Sequence, residues 1–105
     1  MELEQTIMQL IVHGGNAKSD AMLAIEAAKK GDFDVADEQI KNAEAALLEA
    51  HHSQTSLIQG EARGEKAEVS LLLVHAQDHL MNAITFKDLA KEIVDLYRSN
   101  KLLKG

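Results

Sequence analysis

The sequence predicts an all-α fold, an antiparallel three-helix bundle, and three observations carry that reading. The chain has no proline and only 3% aromatic residues, so its core must be built from Ala, Leu, Ile, Val and Met, a mixture that favours helix over strand. Apolar residues recur at three- and four-residue spacing along almost the whole chain, the period of a helix face. The six glycines leave long stretches with no backbone breaker, so helices of unusual length are expected.

The first helix is expected from about Leu3 to Lys30, where Leu3, Ile7, Leu10, Ile11, Ala17, Ala21, Ala24 and Ala28 make one apolar stripe and Gly31 is the stop. Asp32 and Asp34 are placed to cap a second helix, whose stripe runs through Val35, Ala36, Ile40, Ala43, Leu47, Ala50, Leu57 and Ile58 and ends near Gly60. The GEARGE stretch, polar and twice interrupted by glycine, suits a turn between antiparallel helices. The third helix is expected from near Lys66 to about Lys101. At ~1.5 Å per residue the first two helices are about 40 Å long and the third somewhat longer. Residues 1–105 are read as a single domain without internal repeats.

Charge narrows the function classes. Seventeen acidic against eleven basic residues give a net charge of -6, which repels a phosphate backbone, so nucleic acid is not an expected partner. No apolar run approaches the ~20 residues that span a bilayer, and the MELEQTIMQL start is acidic where a signal peptide is basic; the expected location is cytoplasmic. The absence of cysteine removes disulfides, thiolate zinc sites and thiol nucleophiles, which leaves the five histidines as candidates for covalent chemistry.

Ser70 to Phe86, SLLLVHAQDHLMNAITF, is apolar on nearly every side yet carries His75, Gln77, Asp78 and His79. One stripe, Leu72, Ala76, His79, Ala83, Phe86, Ala90, Ile93 and Tyr97, is assigned to the first two helices. A second, Leu71, Val74, Asp78, Met81 and Thr85, occupies the a and d positions of a coiled-coil seam. A second seam calls for a second partner surface, expected to be another copy of the same chain in a parallel self-association, where a threefold axis would supply three equivalent ligands. Copies of Asp78 then meet at the axis. Two such charges about 4 Å apart repel by about 4 kcal/mol at an effective dielectric of 20, so they must share a proton or a cation, and carboxylate oxygens favour a hard ion such as Mg²⁺. A solvent-facing Asp78 on a monomeric helix leaves its apolar flanks unexplained.

The same heptad arithmetic puts His75 at e and Gln77 at g, positions that face each other across neighbouring parallel helices, so Gln77 of one chain is expected beside His75 of the next. His75 and His79 are four apart on one face, a spacing compatible with zinc. The glutamate of an HExxH motif is missing, and Asp78 points about 60° away from His75 in an ideal helix. His79 is expected to be a hydrogen-bonded core residue that also helps hold His75. Gly14 and Gly15, inside the first helix, fit either close helix packing or a kink, or room left for a phosphate or a docking partner.

LVHAQDHLMN, Leu73 to Asn82, resembles the active-site segment of the enzyme IIA component of the lactose and cellobiose phosphotransferase systems. The likeness extends to GDF at Gly31 to Phe33, EAH at Glu49 to His51, QTSLIQGEA at Gln54 to Ala62 and the glycine pair. It implies a homotrimer of three-helix subunits in which His75 carries a phosphoryl group and Asp78 binds a metal, Mg²⁺ or similar, at the axis. It also implies a relay: the phosphocarrier HPr donates, an enzyme IIB accepts on its cysteine, and the membrane subunit IIC couples transfer to entry of a β-linked disaccharide such as cellobiose or lactose. Ala76 after the histidine looks more like the cellobiose or chitobiose branch. Gln77 and His79 are the candidate donors to the phosphoryl oxygens. The competing reading is a non-catalytic trimeric helical adaptor, which accounts for Asp78 but not for His75.

Overall fold

The computed structural model describes residues 3–104, which form three helices: α1 (Leu3–Lys29), α2 (Phe33–Ala62) and α3 (Leu71–Lys104), with no strand among the described residues. The bundle is a rod of 58 × 19 × 19 Å. α1 is the central element: it packs on both α2 and α3, whereas α2 and α3 touch each other much less.

The core follows the first two expected stripes closely. Ile7, Leu10, Ala17, Ala21, Ala24 and Ala28 of α1 and Ala36, Ile40, Ala43, Leu47 and Ala50 of α2 are buried, with Leu3, Ile11 and Leu57 packed at the margin. Among the described residues, eleven of the seventeen buried hydrophobic residues are alanine, so the helices can approach closely. Val35 and Ile58, the outer members of the α2 stripe, are exposed instead.

Helix ends depart from the sequence reading in two places, each with a local cause. α1 closes as expected at Gly31, which takes φ 81; Asp32 N–H donates to Ala27 O (2.9 Å) and Gly31 N–H to Ala28 O (3.0 Å), the paired bonds of a left-handed C-terminal cap. α2 does not stop at Gly60, because the left-handed residue is Gly64, φ 89. Glu65 N–H donates to Gly60 O (2.8 Å) and Gly64 N–H to Glu61 O (3.0 Å), repeating the same cap four residues later. α3 begins at Leu71, not Lys66, because Ser70 is the cap: its Oγ accepts from Leu73 N–H at 3.1 Å. Asp32 sits at the cap position of α2, but its side chain makes no cap hydrogen bond.

The inward stripe of α3 is also rotated from the expected one. Ala76, Leu80, Ala83, Ala90 and Val94 are buried, while Leu72, Ile93 and Tyr97 lie toward solvent. Where α2 and α3 do not pack directly, long side chains bridge them: Arg98 to Asp37 (2.6 Å) and Lys91 to Glu44 (3.4 Å). Lys87, its side chain only 16% exposed, reaches Asp88 (2.6 Å) and Glu44 (3.7 Å). At the end away from Ser70, the Phe33 ring lies 5.2 Å from both the Arg98 guanidinium carbon and Lys101 Nζ, within range for cation–π attraction. These contacts tie the α1–α2 turn to the last turns of α3.

Candidate functional site

The four polar residues of the HAQDH stretch leave α3 in three directions. Because Ala76 and Leu80 are fully buried, the helix phase is fixed, and its neighbours are distributed around that inward line.

His79 turns toward α1, and this contact accounts for Gly14. A Cβ built on Gly14 would lie 3.0 Å from His79 Cδ2, 3.5 Å from His79 Nε2 and 3.7 Å from Leu80 Cα. The missing side chain therefore provides the seat for the His79 ring. Gly15 is less crowded, with His79 Nε2 at 3.6 Å. Of the two readings open in the sequence, close packing explains Gly14, and its partner is a half-buried imidazole. That packing, where a hydrogen bond was expected, holds His79.

His75 is exposed one turn earlier. Its ring stacks on that of His79, with centroids 5.9 Å apart and planes inclined by 20°, an offset arrangement within the range of aromatic pairs. The two histidines thus form a layered pair whose inner ring rests on a helix backbone and whose outer ring meets solvent.

Gln77 lies on the opposite flank. It is half-buried, and its Oε1 accepts a hydrogen bond from Gln54 Nε2 of α2 at 2.7 Å. Within one chain the structure therefore joins His75 with His79 and separates both from Gln77, as residues two apart on a helix must be. Gln54 was missed in the sequence reading; it is a polar residue on a polar stretch of α2, and only the packing of α2 beside α3 gives it a partner.

Asp78 points outward. Its Oδ2 accepts from Asn82 Nδ2 at 3.3 Å, and it is flanked by the exposed apolar residues Leu71 (86%), Val74 (52%) and Met81 (52%). The second expected seam is thus a continuous exposed face of α3, bordered by an apolar groove that Leu57, Ile58 and Leu73 also line. No group of three His, Cys, Asp or Glu side chains able to hold a metal is found within the chain among the described residues, so an ion at Asp78 would need ligands from more than one copy. His13 is half-buried on α1, and His51 and His52 are exposed on α2.

Residues 5–98 match the family model for the lactose/cellobiose-specific IIA subunit of the PTS system. The chain is 59% identical over 96 residues to the lichenan-specific phosphotransferase enzyme IIA component of Bacillus subtilis, covering 91% of this chain and 87% of that protein. The crystal structure of the PTS cellobiose-specific enzyme IIA from Bacillus anthracis superposes with a TM-score of 0.93 at 56% identity, covering 97% of this chain and 94% of that one. The Escherichia coli IIA(Chitobiose) structure, solved in complex with HPr, gives a TM-score of 0.83 at 44% identity, with 96% and 98% covered. Fold, motif and relatives agree, and the chain belongs to the lactose/cellobiose-specific IIA family of the sugar phosphotransferase system.

Proposed function

We propose that this IIA subunit carries a phosphoryl group on His75, accepting it from phospho-HPr and passing it to the cysteine of a cognate enzyme IIB. The observation that carries the reading is the His75–His79 pair: an exposed imidazole, held by a stacked ring whose own place is fixed by Gly14. A carrier needs its nucleophile accessible and oriented more than it needs new chemistry, because phosphoryl transfer is governed by positioning and by charge stabilisation.

In the loading step the lone pair of a His75 ring nitrogen forms the new N–P bond while the donor's N–P bond breaks and its electron pair returns to the donor imidazole. In the second step the acceptor thiolate forms an S–P bond and the electron pair returns to His75. No net redox change occurs. The anionic phosphoryl oxygens require hydrogen-bond donors, and His79 beside His75, with Gln77 brought from a neighbouring subunit, is the proposed set.

The neighbouring subunit enters through the exposed face of Leu71, Val74, Asp78 and Met81. Three copies joined along it form a homotrimer, in which the His75 flank of one α3 adjoins the Gln77 flank of the next. Asp78 fits a hard divalent cation such as Mg²⁺ in ligand type: it is a carboxylate, held on one oxygen by Asn82 and open on the other. Copies of Asp78 would hold the ion, which would offset their mutual repulsion. The remaining assignments follow the family: one domain over residues 1–105, a cytoplasmic location, a membrane IIC engaged through IIB, and a β-linked disaccharide of the cellobiose or chitobiose type as the sugar. Among the described residues no helix is long and apolar enough to cross a membrane.

Incubation with phosphoenolpyruvate, enzyme I and HPr should yield one acid-labile phosphate per chain, absent in His75→Gln. A stable wild-type trimer that takes up no label would favour the adaptor reading.

A further inference from the structure

We infer that Gln54 is a positioning residue, which sets the outward polarity of the Gln77 amide so that Gln77 presents N–H groups to a phosphoryl group on a neighbouring subunit. This rests on the carrier reading above and deepens it.

A glutamine amide has two unlike ends, a carbonyl that only accepts and an NH₂ that only donates. A phosphoryl group offers acceptor oxygens carrying negative charge. Gln77 helps it only if the NH₂ end arrives first; turned over, the same side chain sets a carbonyl oxygen against an anion. Nothing intrinsic to glutamine chooses between the two. Here the choice is made by α2: Gln54 faces Met81 Sδ, a thioether that accepts but cannot donate, with its Nε2 at 4.0 Å, so the NH₂ end of Gln54 is turned toward α3. It donates to Gln77 Oε1 at 2.7 Å in a half-buried setting, so the Gln77 carbonyl is engaged inward and its NH₂ remains outward. The contact with Met81 places the Gln54 nitrogen over the turn of α3 that follows Gln77. Among the described residues this is where a side chain of α2 hydrogen-bonds to the Leu73–Asn82 segment; the other links between α2 and α3 are the ion pairs of Asp37 and Glu44, far along the rod. With Gln54 so oriented, one net hydrogen bond biases the Gln77 flip on the order of two- to tenfold.

The inference predicts an order of effects that bulk at position 54 does not. Gln54→Leu removes the bond and should slow transfer from phospho-HPr about three- to tenfold. Gln54→Glu offers only acceptors, holds Gln77 by its NH₂ and turns the carbonyl outward, so it should slow transfer more, on the order of 30-fold. Gln54→Lys restores a donor and should recover part of the rate lost in Gln54→Leu.

Charge alone would also rank lysine above glutamate, so the series is repeated in a Gln77→Ala background, where the ranking should collapse to within about twofold. Circular dichroism and oligomeric state should be unchanged across the set. If the Glu variant does not fold, the Leu and Lys pair carries the test. In uniformly ¹⁵N-labelled protein, the Gln77 side-chain amide resonances should move on phosphorylation of wild type and stay in place in Gln54→Leu or Gln54→Glu.

A Gln77→Ala chain that transfers at the wild-type rate would overturn the inference, as would a Glu-to-Lys ranking that persists without Gln77, or equal rates for Gln54→Leu and Gln54→Lys. In each of these cases label still absent from His75→Gln leaves the carrier reading standing. Label retained in His75→Gln would instead remove that reading, whatever position 54 does.

Discussion

Adding one methyl group at Gly14 should destabilise the protein, and adding one at Gly15 should stabilise it. Both residues lie inside α1, where replacing glycine by alanine is worth about 0.8–1.0 kcal/mol in helix propensity. The difference lies in what the new Cβ meets. At Gly15 the nearest atom is His79 Nε2 at 3.6 Å, an ordinary contact, so Gly15→Ala should keep most of the gain. At Gly14 the Cβ would stand 3.0 Å from His79 Cδ2, a ring-edge atom whose retreat is limited by the stack on His75. Overpacking of this kind costs about 1–3 kcal/mol, which exceeds the propensity gain and leaves Gly14→Ala less stable by about 1 kcal/mol. For a chain of this size 1 kcal/mol moves Tm by about 4–8 °C, so the two variants should melt on opposite sides of wild type. Thermal unfolding at matched protomer concentration makes the comparison, since association shifts apparent stability. In a His79→Ala background the obstacle is gone, and Gly14→Ala should become stabilising. Equal stabilisation by both substitutions, or a Gly14→Ala cost that survives removal of His79, would refute the seat.

Other consequences are equally open to measurement. Ser70→Ala removes the acceptor for Leu73 N–H and should cost about 1 kcal/mol, seen as faster amide exchange in the first turn of α3; unchanged protection there would mean the backbone holds that turn unaided. Asp78→Leu should retain or strengthen self-association while abolishing divalent-cation binding measured by calorimetry, because apolar packing can replace a buried polar cluster; dissociation to monomer in sedimentation would contradict this. Mixing His75→Ala with Gln77→Ala chains should recover transfer in those mixed oligomers where an intact Gln77 flank adjoins an intact His75, and activity no higher than in the separate mutants would count against a shared site.

The stripes of α1 and α2 were legible because each helix has one apolar face, so periodicity alone identifies its inward side. α3 has two. With apolar residues nearly all round, the 3,4-spacing admitted a stripe through Leu72, Ile93 and Tyr97 while the buried line runs through Ala76, Leu80, Ala83, Ala90 and Val94; spacing cannot say which face meets α1 until α1 is there. Both errors in helix ends came from judging glycine and polarity without their hydrogen bonds. Gly60 looked like a stop, yet Gly64 adopts the left-handed conformation, and Ser70 was an available cap that the reading passed over for Lys66. At the site, the i, i+4 relation of His75 and His79 was visible in the sequence, and so was the outward line through Asp78. The seat at Gly14 and the bond from Gln54 were not, since each joins residues far apart in the chain.

An interior lined mainly by alanine has a bearing on how accurately an imidazole can be located. Alanine has no side-chain rotamers, so burying it forfeits no rotational freedom and leaves nothing at these positions that can hop between alternative shapes. The gap between α1 and α3 is then gauged by fixed methyl groups along the rod, and at Gly14 by bare backbone. A ring resting on such a surface inherits the tolerance of the main chain rather than the looser tolerance of interlocking flexible side chains.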